Sequence, residues 1–118
     1  MPLHIVQKLT GDVMILDARG RITLGPETEA LRLRIREAVA AGYTRIVLDL
    51  ASVEYIDSAG LGTLVAGFTS ARRAGGELKL ANLTKRLRSL MQITRLSTVF
   101  EVYDSVEEAR RSFTRSPL

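Results

Sequence analysis

The stretch RIVLDLASVEYIDSAGLGTLV, residues 45–65, changes its pattern partway along. Arg45 to Leu50 are almost all apolar and aliphatic, as expected of a strand covered on both faces and therefore central in its sheet. ASVEYID, residues 51–57, reads as a loop. From Ser58 the spacing turns helical: Leu61, Leu64, Val65 and Phe68 fall on one side of a wheel turned by about 100° per residue, with Ala71 beside them. This stripe is expected to be buried against the sheet, and Gly75-Gly76 closes a helix running from about Ser58 to Ala74.

Upstream, LHIVQKL and VMILDARGRI are two strand-like runs separated by Thr10-Gly11-Asp12, a hairpin turn. A helix then starts at Pro26, whose fixed φ suits the first helical position. Glu27 and Glu29 complement its N-terminal dipole, and Gly42 stops it. Leu31, Ile35, Ala38 and Val39 form its inward stripe. Downstream, ELKLAN (77–82) alternates as a strand, TKRLRSLMQI (84–93) is helical with Leu87, Leu90 and Met91 on one side, and TVFEVY (98–103) reads as a last short strand. Ser105-Val106-Glu107-Glu108 is a capping-box pattern that opens a terminal helix with Val106, Ala109 and Phe113 inward. Strands alternating with helices imply an α/β domain, its sheet partly parallel. The expected core spans residues 4–113 of one domain, with a frayed tail at 114–118.

The composition narrows the function classes. A chain of 118 residues with 46% hydrophobic content buries a core unaided. It has no cysteine, hence no disulfide framework, thiol nucleophile or Cys-based zinc site, and no metal is expected. Neither a signal-peptide pattern nor an apolar run of about eighteen residues is present, so a cytoplasmic protein that does not use a membrane is expected. The net charge of +4 raises nucleic acid as a partner, but the arginines are dispersed over helical faces and aromatics make up only 5%. No direct nucleic-acid binding is expected.

The rest of the second helix's circumference is unusual. Ala59, Gly60, Gly62, Thr63, Ala66, Gly67 and Ser70 stand where an exposed helix ordinarily carries long polar side chains. Each interior glycine costs about 0.5–1 kcal/mol relative to alanine, so a compensating close approach is expected on that face. Either another helix of this chain packs there, or another protein docks there. At the edge of the face lies Ser58, where the helix start leaves N–H groups unpaired and favours negative charge; Ser58 or Asp57 is the N-cap. A phosphate on Ser58 meets those same donors and leaves the helix intact.

Catalysis is poorly supplied. His4, on the opening strand, is the chain's lone histidine and reads as an edge residue rather than a triad base. The glycines match neither the nucleophile elbow, the dinucleotide fingerprint nor the P-loop. Glu54 and Asp57 read as solvated carboxylates on a turn. No catalytic residue and no enzyme activity is expected.

The run IVLDLASVEYIDSAGLGTLV followed by GGELKLANL closely resembles the STAS domain family, in particular the stand-alone bacterial anti-sigma factor antagonists. The resemblance implies a single STAS-like α/β domain, with a central mixed β-sheet flanked by about four helices and no cofactor. It implies that Ser58 is phosphorylated by an anti-sigma factor that is itself a serine kinase, and dephosphorylated by a PP2C-type phosphatase. The unphosphorylated form binds that anti-sigma factor and frees the sigma factor. On this reading Asp57, Ser58, Ala59, Gly60, Gly62, Thr63 and Ala66 meet the partner, and the protein is a monomer or weak dimer. Where members often carry an acid in a G-x-[LI]-D pattern this chain has GRIT, with Thr23 in the acid's place, and Ala59 replaces a second hydroxyl found in some relatives. Stand-alone STAS proteins also act as scaffolds in stress-sensing assemblies and as small subunits beside lipid-transport ATPases, and that constitutive role is the alternative.

Overall fold

In the computed structural model, which describes residues 3–114, the opening hairpin forms β1 (His4–Thr10) and β2 (Val13–Ile22), turning at Gly11 with φ 64°. The helix starting at Pro26 is α1 (Pro26–Ala40), and Leu31, Ile35 and Ala38 of its expected stripe are buried. β3 (Arg45–Ile56) follows, then α2 (Ser58–Arg73), β4 (Glu77–Ala81), α3 (Lys85–Ile93), β5 (Val102–Tyr103) and α4 (Val106–Thr114). Among the described residues the sheet order is β1-β2-β3-β4-β5, with β1 antiparallel to β2 and the other neighbours parallel. The α/β architecture, a mixed sheet with four helices, agrees with the sequence reading, and β3 is central as its apolar run implied.

Two elements differ from expectation. Residues 51–56, read as a loop, continue β3 to Ile56. The pairing with β2 shifts register between Asp17 and Arg19, which face Asp49 and Ser52, and again between Gly20 and Arg21, which face Val53 and Tyr55. At each shift β3 carries one residue more than β2. Such bulges break period-two alternation, so Leu50, Val53 and Ile56 are buried at intervals of three and no strand pattern is visible in the sequence. The last strand is shorter than TVFEVY: Arg95 turns through the left-handed region (φ 63°), Leu96–Thr98 form a 3-10 turn, and only Val102 and Tyr103 pair with β4. Phe100, freed from strand geometry, is buried edge-on against Phe68, ring centroids 5.3 Å apart.

The main core joins Leu16, Ile46, Leu48, Leu78 and Leu80 of the sheet to buried side chains of α1, α2 and α3. The opposite face carries a smaller cluster in which Val13, Val47 and Ala81 meet Ala109 and Phe113 of α4. The N-cap half of the expected capping box forms, Ser105 Oγ accepting from the Glu108 N–H at 3.0 Å. Beside this cluster Lys79 is buried, its ammonium 3.1 Å from Glu101, 2.7 Å from Ser112 Oγ and 4.2 Å from the Phe113 ring. Thr114 ends α4, and the remainder of the expected frayed tail lies outside the described residues.

Candidate docking site at the start of α2

β3 delivers the chain to the carboxyl end of the parallel strands at Ile56, and Asp57 then opens α2. Asp57, in extended backbone conformation, is the N-cap: its Oδ1 accepts from the Gly60 N–H at 2.8 Å. Its Oδ2 accepts from the Leu24 N–H at 3.0 Å, and its own N–H donates to the Ile22 carbonyl at 3.3 Å. One side chain thus caps the helix and ties it to the end of β2. The Leu24 N–H first, then that of Gly60, hold the Asp57 carboxyl below the usual carboxylate range, because both donors favour the anion. With the cap supplied by Asp57, Ser58 begins the helix and is exposed.

The small-residue face divides in two. A Cβ built on Gly60 stands 2.2 Å from the Ile22 carbonyl oxygen and 2.5 Å from Ile56, and one on Gly67 stands 2.7 Å from Ile35 of α1. These glycines let α2 seat on β2 and α1, and Thr63, 1% exposed, donates its hydroxyl to the Ala59 carbonyl. Gly60 and Thr63, expected to meet a partner, are therefore inside the protein, and close approach within the chain accounts for Gly60 and Gly67. Gly62 is different: it is exposed, with no atom within 4 Å of an added Cβ. Ala59 and Ala66 are half-buried beside it.

This division is a rotation of the helix. Burial centres on Gly60, Leu64, Gly67 and Ala71, between the expected stripe and the small-residue face, because the close approach to Ile22 and Ile35 at Gly60 and Gly67 leaves no room for a larger side chain there. Leu61 and Leu64 are buried as expected, but Val65 and Phe68 are only half-buried. Phe68 leans on Phe100, with the Arg72 guanidinium 5.4 Å from its ring centre.

A groove of about 520 Å³ lies between the start of α2 and α3. Tyr55, Ile56, Leu61, Leu90 and Ile93 form its apolar part, and Asp57, Ser58, Arg86 and Thr94 its polar part. Ile93 is 78% exposed and Tyr55 43%, and Leu24, beside the Asp57 carboxylate, is 78% exposed. Exposed apolar side chains gathered around one hydroxyl make a surface suited to another protein. The sequence reading missed Tyr55, Leu24 and Ile93. Thr23, in the acid's place, is half-buried with its hydroxyl 3.5 Å from the Glu27 carboxylate, so that corner draws its negative charge from α1. His4 lies exposed on β1, Glu54 is exposed, and no cluster of potential metal ligands occurs among the described residues. No described helix is long and apolar enough to cross a membrane.

A STAS domain profile matches residues 4–109. The chain belongs to the STAS domain family. A Thermotoga neapolitana relative, proposed to be an anti-sigma factor antagonist, is 30% identical over 102 residues, covering 86% of this STAS chain and 90% of the relative. An anti-sigma-B factor antagonist from Listeria monocytogenes is 46% identical over 55 residues, 47% of this chain and 48% of the relative. Among solved structures, the anti-sigma factor antagonist SpoIIAA superposes in its unphosphorylated form with a TM-score of 0.74 at 19% identity, covering 97% of this chain and all of that one. Its phosphorylated form superposes with a TM-score of 0.73 at 20% identity, covering 93% of this chain and 99% of that one. At such identities the likeness establishes the STAS fold alone.

Proposed function

We propose that this STAS protein is an anti-sigma factor antagonist whose docking is switched by phosphorylation of Ser58. The observation that carries the reading is the exposed hydroxyl at the first position of α2, relieved of capping by Asp57 and bordering an open apolar groove. In the unmodified protein Ser58, Gly62 and the half-buried Ala59 and Ala66, together with the groove, receive a cytoplasmic anti-sigma factor with serine kinase activity, which then releases its sigma factor. Asp57 shapes this surface by holding the helix start. The kinase moves the γ-phosphoryl of ATP onto Ser58 Oγ, and the hydroxyl proton leaves to the kinase or solvent. The phosphate adds about −1.5 to −2 charge and three acceptor oxygens at a surface the partner must desolvate, so affinity falls. A PP2C-type phosphatase restores the hydroxyl by hydrolysis. SpoIIAA, a protein of the same fold, has both phosphorylated and unphosphorylated forms, which supports the reading by analogy.

The test is a titration with the cognate anti-sigma kinase. Ser58→Ala keeps binding and takes no label from ATP, whereas Ser58→Asp binds more weakly. Gly62→Gln and Ala66→Arg weaken binding with little change in melting temperature, since both new residues are good helix formers. Stoichiometric labelling of Ser58→Ala, or full affinity in Ser58→Asp, rejects the switch and leaves the constitutive-subunit alternative.

A further inference from the structure

α3 starts against the usual charge preference. Its first turn contains no acid and opens with Lys85 and Arg86, although cations are disfavoured at the positive end of a helix. Some arginines have carboxylate partners, Arg19 with Asp17, Arg45 with Asp12, Arg72 with Glu77 and Arg88 with Asp104, while others, among them Arg21, Arg36 and Arg73, make no ion pair among the described residues. Arg86 makes no ion pair among the described residues, yet it lines the same groove as Ser58. The other ionisable groups of the groove are the Tyr55 phenol and the Asp57 carboxylate. The carboxylate is already committed to the Leu24 and Gly60 amides.

We propose that Arg86 is the residue through which a phosphoryl group on Ser58 acts: its guanidinium pairs with the phosphate and lies across Leu61 and Leu90, closing the groove. The proposal rests on the reading of Ser58 as the acceptor. A guanidinium offers a planar pair of N–H donors that matches two phosphate oxygens, and its three-carbon stem covers apolar surface while the charge stays bound. Phosphate then subtracts the apolar groove from the docking surface in addition to placing charge at its edge. The same pairing accounts for an arginine kept unpaired in the first turn of α3.

The test uses the full chain with phosphoserine installed at position 58 by genetic-code expansion, so it needs no kinase. Phosphorus NMR follows the second ionisation of the phosphate, ordinarily near pH 6. Pairing favours the dianion, so this pKa lies lower in the otherwise unmodified chain and rises by about half a unit in Arg86→Gln, with Arg86→Lys between them. Arg88→Gln, three-dimensionally tied to Asp104 instead, leaves it unchanged. Installing the phosphate also shifts the Leu61 and Leu90 methyl signals, and Arg86→Gln abolishes those shifts. Equal pKa values in the parent and Arg86→Gln overturn the pairing, as does an equal rise in Arg88→Gln. Methyl signals that ignore the phosphate overturn the closure. Absence of kinase labelling at Ser58 would count against the proposed function but not against this pairing.

Discussion

The same substitution at two glycines only two positions apart on α2 is expected to act with opposite sign. In Gly60→Ala the new methyl lies 2.2 Å from a backbone carbonyl oxygen, that of Ile22, and 2.5 Å from Ile56 Cγ1. Ordinary carbon contacts lie near 3.5–4.0 Å, so the strand or the helix must move by more than an ångström. That carbonyl also accepts the Asp57 N–H at 3.3 Å, so relieving the clash stretches the bond that seats the helix start on β2. Overpacking costs about 1–3 kcal/mol, or more where backbone is struck, and alanine's helix propensity returns about 0.5–1 kcal/mol. A net loss of about 1–2 kcal/mol follows, a fall in Tm of about 4–8 °C for a domain of this size. In Gly62→Ala nothing lies within 4 Å of the methyl, so the propensity gain stands alone and Tm rises by about 2–4 °C. The chain has no tryptophan, so far-UV circular dichroism in urea is the suitable probe, with the denaturant slope compared between variants. A Gly60→Ala protein at least as stable as the parent would show that α2 does not sit on Ile22 as described; a destabilised Gly62→Ala would show that its face is covered.

Asp57→Ala should cost about 0.5–2 kcal/mol through loss of the cap, measured by urea unfolding at neutral pH. Because the folded Asp57 pKa is lowered, its contribution is complete above the unfolded value near 4 and is lost as pH falls through the folded value. Asp57→Asn, which retains a capping oxygen, should therefore lose less stability than the parent between pH 7 and pH 3; parallel acid limbs would refute this. Leu64, fully buried in the main core, should cost about 2–5 kcal/mol on replacement by alanine, and an unchanged urea midpoint would contradict its placement.

Most elements were legible because local signals agreed: the hairpin turn at Gly11, Pro26 opening α1, the aliphatic Arg45–Leu50 run and the Ser105 capping box each became what their chemistry favours. The end of β3 was not. Its bulges impose a spacing of three, and that spacing exists only because β2 sits beside it in a particular register. The rotation of α2 was hidden for a related reason. A wheel weights side chains by hydrophobicity, so it points Val65 and Phe68 as fully inward as Leu61 and Leu64, whereas the constraint that decided the orientation was the room available above Ile22 and Ile35.

The candidate docking site shows the same limit at the level of single residues. Asp57 and Ser58 are both good N-caps by residue type, and sequence alone left the choice between them open. It was decided by a contact spanning 33 positions, the Leu24 N–H reaching the second Asp57 oxygen, which Ser58 has no second atom to provide. Gly60 and Gly62 carry the same letter two positions apart, yet one is filled by a strand carbonyl and the other faces open space. Tyr55 stood in a stretch read as a loop and Ile93 outside the inward side of its helix, so neither drew notice in one dimension, yet both are exposed and line the groove. The glycines that let α2 settle closely on β2 and α1 stand on one side of the helix, while Leu61 lies on the side where the apolar groove with α3 stays open. A residue that filled the Gly67 contact with Ile35 would accordingly disturb docking at a distance, through the angle of the helix, without touching the partner at all.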